Sequence, residues 1–179
     1  MKDAPIYIIA AIDSAGGIGL DGTIPWRLPS ELQYFRKITS QNLRGTRSAL
    51  IMGRKTWESL PPKNRPLKGR FNIVISSTIE LERHPDLAQA RSLDEAILLA
   101  KLMPDIDTVF IIGGESVYKE ALEKSDWAAI FLSLVPGDYG CDTFFPKVSA
   151  RVYRVAQSEQ DGWTATVYER FIEKRKGRL

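Results

Sequence analysis

The chain has 179 residues, 44% of them hydrophobic and 26% charged, with a net charge of +3 and an isoelectric point near 9.0. That length supports one domain with a substantial core, and the composition excludes a disordered or fibrous chain. A single cysteine, Cys141, excludes an intrachain disulfide and makes a reducing cytoplasm the default; with a single histidine beside it, a zinc site of the usual kind has almost no ligands to draw on.

No apolar run reaches membrane-spanning length, and MKDAPIYIIAAID lacks the flanks and cleavage pattern of a signal peptide. The basic excess gathers in KNRPLKGR, 63–70, and in the tail EKRKGRL, 173–179. Neither carries the interleaved aromatics of a single-strand stacking platform, so no nucleic-acid partner is expected. A modest positive balance favours small polyanionic ligands instead, and the tail reads as a solvated end.

In chain order, IYIIAAI, 6–12, is a continuous apolar run of strand length, as for a central strand buried on both faces. Gly17 to Gly22 then satisfies GxGxxG directly after a strand. The match fails as a dinucleotide fingerprint, because TIPWRLP follows and its two prolines forbid the helix that should open there. The glycines read as a mobile loop arching over a site. From Pro29, suited to a first helical position, Leu32, Phe35 and Ile38 recur at helical spacing. Glu31 projects along the edge of that face, where a carboxylate beside Leu and Phe is costly unless a donor meets it. On the helix alone the plainer reading is that Glu31 complements the helix dipole from its first turn.

TSQNLRGTRS, 39–48, reads as a loop, SALIMG, 48–53, as a second buried strand, and RKTWESL as a short helix. GRKT is not a P-loop, because Arg54 rather than Gly precedes Lys55; what survives is a generic anion site of Arg54, Lys55 and Thr56 after a strand ending at Gly53. A proline-rich excursion, 61–70, leads to a third strand, FNIVISS, 71–77. AQARS is a short strand candidate. Ser92 caps a helix, with Glu95 completing a capping box and Leu93, Ala96, Ile97 and Ala100 facing the core. TVFIIGG, 108–114, is a buried strand whose paired glycines precede the helix ESVYKEALEK. WAAIFLSLV is a further strand, and RVYRVAQSE with TATVYERFI forms a hairpin at a sheet edge. The pattern is α/β: a single-domain mixed, mostly parallel central β-sheet flanked by helices, with a C-terminal antiparallel hairpin.

With these residues laid out, the chain resembles dihydrofolate reductase over nearly its whole length. The resemblance rests on IGLDGTIPWRLPSELQYF, LIMGRKTWESL, RPLKGRFNIVISS, IIGGESVY and CDTFFP, five stretches in the family's order. It implies reduction of dihydrofolate to tetrahydrofolate with NADPH, and it reverses the reading of Glu31, which becomes the carboxylate gripping the pterin. Ser133 matches a hydroxyl bonded to that carboxylate. The resemblance makes Ile9, Leu32, Phe35, Leu60, Leu67 and Ile112 the pocket wall, and Arg70 the residue that takes the substrate's glutamyl carboxylate.

For NADPH it implies phosphate contacts from Gly53, Arg54, Lys55 and Thr56. It places Ser76, Ser77 and Arg91, together with Arg54, around the adenosine 2′-phosphate, within an adenosine-binding subdomain of roughly residues 48–103. Gly113, Gly114, Glu115, Ser116, Val117 and Tyr118 match the turn against the pyrophosphate and nicotinamide, where the family's paired glycines take a cis peptide. Ala11, Ile18 and Gly19 border the nicotinamide. Residues 14–27 match the mobile lid, with Trp26 placed to hold a water near the pterin. Glu115 departs from the family's usual Gly or Ser and brings an acid near the cofactor phosphates. Other implied properties are a monomer in the cytoplasm and binding of antifolates. Two alternatives lack support. A pyrimidine reductase of riboflavin synthesis should lack the acid beside an aromatic, and a kinase would need intact Walker spacing.

Overall fold

The computed structural model describes residues 4–41, 45–124, 126–148 and 152–171. The strands in chain order are β1 (Ile6–Ile12), β2 (Gly17–Gly19), β3 (Arg47–Gly53), β4 (Phe71–Ile75) and β5 (Leu87–Ala90). They continue as β6 (Ile106–Ile111), β7 (Trp127–Leu134), β8 (Thr143–Phe144), β9 (Val152–Glu159) and β10 (Thr164–Arg170). Four α-helices join them: α1 (Pro29–Thr39), α2 (Arg54–Ser59), α3 (Leu93–Leu102) and α4 (Glu115–Lys124). Eight strands make one sheet in the order β5-β4-β3-β6-β1-β7-β10-β9. It is parallel from β5 to β7, then antiparallel through β10 to β9, which is the mixed sheet with a C-terminal hairpin expected from sequence. No described helix is long and apolar enough to cross a membrane.

Because strand side chains alternate, the continuous apolar runs feed two separate cores. Ile6, Ile8 and Ala10 of β1 join Ala49, Ile51, Val109 and Ile111 on the face covered by α3 and α4. Ile9, Leu50, Met52 and Phe110 point to the other face, with Trp57 of α2 and the half-buried Phe35 and Ile38 of α1. On α3 the Ser92 hydroxyl accepts the Glu95 N–H at 3.2 Å, as a cap should. The reciprocal arm is displaced by one residue: Glu95 Oε2 accepts from the Arg91 N–H at 2.7 Å rather than from Ser92.

One expectation changes. The third strand stops at Ile75, because the Ser76 hydroxyl takes the N–H groups of Thr78 and Ile79 and turns the chain away. On α1 the stripe divides: Leu32 is 57% exposed, while Phe35 and Ile38 pack partly against the second core, and only Glu31 and Thr39 of that helix are fully buried. The glycine loop carries a small ladder, with Gly17 opposite Phe144 and Gly19 opposite Thr143. Residues 42–44 of the 39–48 loop, and the basic tail 173–179, lie outside the described residues.

Candidate active site

β1, β3 and β6 run parallel, so their carboxyl ends open on the same edge of the sheet, the usual ligand position in open α/β folds. A cavity of about 1010 Å³ lies there. A shallower hollow of about 630 Å³, lined by Tyr7, Tyr153 and Phe171 on the hairpin side, holds none of the candidate residues.

One end of the cavity is apolar. Ile9, Leu32, Phe35, Leu60, Leu67 and Ile112 all line it. Glu31 is placed among them by the first turn of α1, 7% exposed. Ser133 of β7, itself buried, donates to Glu31 Oε1 at 3.0 Å. Burial pushes the Glu31 carboxyl above its ordinary range, and the Ser133 donation draws it part of the way back. Oε2 has no hydrogen-bond partner among the described residues. The cavity therefore ends on a carboxylate held by one oxygen with the other free for a ligand's N–H.

Arg70, 4% exposed, lines the same cavity. Its Nη1 donates to Thr39 Oγ1 at 2.8 Å, its Nε donates to the Lys68 carbonyl at 3.2 Å, and the guanidinium lies 6.0 Å from the Phe35 ring centre. No carboxylate pairs with it among the described residues. Burial and the nearby Arg36 charge pull its pKa down to about 10, so it is still cationic at neutral pH. A buried guanidinium with no counter-ion, pinned by two neutral acceptors, is a prepared seat for a ligand carboxylate.

The far end is polar and glycine-rich. Gly53, Arg54, Lys55 and Thr56 line it together with Gly114, Glu115, Ser116 and Val117. The Gly53 N–H donates to the Gly113 carbonyl at 2.7 Å, and the Gly113–Gly114 peptide is cis. Gly113 has φ +109°, and a Cβ there would fall 2.9 Å from two ring carbons of Tyr118. That ring cannot yield, because it is buried and its hydroxyl donates to the Ile9 carbonyl at 2.8 Å. Ala11, Ile18, Gly19 and Tyr118 lie along the wall between the two ends.

The family model for dihydrofolate reductase matches residues 5–172. The chain belongs to the dihydrofolate reductase family. Among curated relatives, dihydrofolate reductase from Sus scrofa is 41% identical over 172 residues, covering 92% of this chain and 91% of that protein. The Bos taurus protein is also 41% identical, over 84% of this chain, and that of Heliothis virescens is 36% identical over 89%.

Five candidate residues of this dihydrofolate reductase-family chain stand outside the cavity wall, besides Ser133 behind Glu31. Ser76, Ser77 and Arg91 follow β4 and β5, the first with its hydroxyl used in a turn and the other two exposed. Gly113 touches the site through its carbonyl and the Tyr118 ring. Trp26 is buried edge-on to Tyr139, ring centres 5.3 Å apart, and its Nε1 has no acceptor among the described residues.

Sequence reasoning missed Asp13. Buried at the end of β1, it accepts the N–H groups of Ala15 and Gly17 on Oδ1 at 2.9 and 2.7 Å. Oδ2 accepts from the Tyr139 N–H at 3.1 Å and from the Cys141 thiol at 3.5 Å. Burial works to raise its pKa, but the three N–H groups together outweigh that and hold it below its ordinary value. Asp13 thus clamps the glycine loop to the 137–143 loop. The available signal was local: an Asp whose side chain can take the N–H two residues on, at a strand end before Ser-Ala-Gly-Gly.

Proposed function

We propose that this chain reduces 7,8-dihydrofolate to 5,6,7,8-tetrahydrofolate, with NADPH as hydride donor. The observation that carries the reading is one cavity pairing a buried, half-satisfied carboxylate, Glu31, with a glycine-lined cationic end. An aminopyrimidine edge offers two N–H donors, and Glu31 is placed to accept them. NADPH fits the other end: Arg54, Lys55 and Thr56 would hold phosphate oxygens, Gly113 and Gly114 would let the backbone approach, and Ala11 and Ile18 would border the ring. When bound, the cofactor supplies the hydride.

The chain's own residues align the two rings and manage the proton. The negative charge of Glu31 raises the proton affinity of the substrate's imine nitrogen, and substrate N–H groups favour the charged carboxylate against the pull of burial. Trp26 Nε1, a buried donor without a protein acceptor, is suited to orient a water near that nitrogen. Arg70 takes the tail carboxylate. The adenosine half rests on residues of roughly 48–103, and the protein works as a cytoplasmic monomer feeding one-carbon metabolism. Antifolates presenting the same two-donor edge would compete at Glu31. The test is NADPH oxidation followed by absorbance with dihydrofolate as acceptor. Activity that falls at least a hundredfold in Glu31→Gln supports the reading, and a wild-type protein without dihydrofolate-dependent oxidation refutes it.

A further inference from the structure

Arg54 is already engaged in this structure. Its Nη1 donates to both carboxylate oxygens of Glu58, one helical turn on, at 3.0 and 2.8 Å. Both side chains are close to half exposed, 40% and 45%, so the pair is a weak one that a better anion can displace. Displacement does not remove the acid, because Glu58 is fixed one turn along the same helix and its charge remains beside whatever Arg54 then holds. We propose that Glu58 competes with the cofactor's 2′-phosphate for Arg54 and so sets how strongly this protein prefers NADPH over NADH. The inference rests on the reading that Arg54 takes that phosphate.

Of the described cations lining this end of the cavity, Arg54 is the one already paired with a carboxylate, so a phosphate must win it from Glu58. NADH has no such contest. Its ribose 2′-hydroxyl is a donor, and an acid in this place can accept from it, as acids do in NAD sites. Glu58 therefore penalises one cofactor and favours the other.

Equilibrium dissociation constants for NADPH and NADH, from quenching of tryptophan fluorescence without substrate at low salt, test this directly. Glu58→Gln keeps the shape of the side chain and lies on the surface. It should raise the NADH-to-NADPH ratio of dissociation constants by about three- to fivefold, an effect that shrinks as salt screens the charges. In an Arg54→Gln background the same change should move the ratio less, because no guanidinium is left to compete for. A ratio that is the same in Glu58→Gln, whether both cofactors move together or neither moves, overturns the role of Glu58. Arg54→Gln separates the two levels. If it leaves NADPH binding intact, Arg54 does not read the phosphate and both readings fall. If it collapses the ratio while Glu58→Gln does not move it, only the competition is wrong.

Discussion

Arg70 and Glu31 are held in place by neutral partners, which leaves the strongest part of each group for a ligand. For Arg70 the partners are Thr39 Oγ1 and the Lys68 carbonyl, and the missing one is a carboxylate. Arg70→Ala should therefore weaken folates carrying a glutamyl tail by about tenfold or more, the size of a charge-assisted contact, while sparing inhibitors without one. Titration of both ligand classes checks this, and equal loss would make Arg70 structural. For Glu31 the consequence is kinetic. Glu31→Ala should lose most of its hydride-transfer rate at neutral pH and regain part of it in acid, where the substrate protonates unaided. Single-turnover rates against pH for both proteins decide it, since they isolate chemistry from release. A uniform slowing at all pH values would leave Glu31 only an orienting role. Neither role was legible in local sequence: the helix alone made Glu31 a dipole partner, and its burial depends on Ser133, 102 positions away. The family resemblance, not the spacing of α1, pointed to both.

At the scale of elements, the glycine loop after β1 and the glycine turn at 113 depend on single contacts that strand and helix periodicity does not report. Asp13 joins two loops through charge-assisted bonds, and its pKa is depressed. Its contribution is thus fully present above its ordinary value of 3.8 and is lost as pH falls through the lowered value. Asp13→Ala should leave the Gly17 N–H without its acceptor and cost about 1–3 kcal/mol, concentrated in the glycine loop. Hydrogen exchange is the measurement: amides of 14–19 and 137–143 should lose protection while β1 and β3 keep theirs. Gly17 belongs to the same junction, because a Cβ there would fall 2.4 Å from Cys141 Cβ. The glycine turn at 113 is stricter. Gly113→Ala places a side chain at φ +109° and into the Tyr118 ring, two penalties of about 1–3 kcal/mol each. A lowered denaturant midpoint together with loss of NADPH binding is expected, and binding at wild-type strength would remove the turn from the cofactor site. The glycines were visible in IIGGESVY; that Tyr118 presses on one of them was not.

For the whole molecule, the order of elements was legible because buried parallel strands leave continuous apolar runs, and IYIIAAI, SALIMG and TVFIIGG are three of them. What stayed hidden was which face each helix turns inward, since a stripe lining a cavity and a stripe lining a core have the same spacing. Leu32 and Phe35 show the difference: they wall the cavity while Ile38 on the same stripe packs against the core, so the fold leaves an apolar wall partly open for a ligand to complete. Glu31 sets an energetic cost on that arrangement, and the cost has a sign that can be checked. Burial raises its pKa, so folding favours the protonated form. Stability linked to Glu31 is then fully present below the unfolded carboxylate range and is lost as pH rises through the folded value. Glu31→Gln removes the charge while keeping a group that can accept from Ser133. It should match the wild type in thermal midpoint in acid and exceed it increasingly as the wild-type carboxylate ionises, with about 2–4 °C gained for each 1 kcal/mol relieved in a domain of this size. The same variant should be at least a hundredfold less active than the wild type at neutral pH. Melting curves of both proteins across that range measure it. A difference in midpoint that does not change with pH would mean that Ser133 and solvent in the cavity already neutralise the cost of the buried charge.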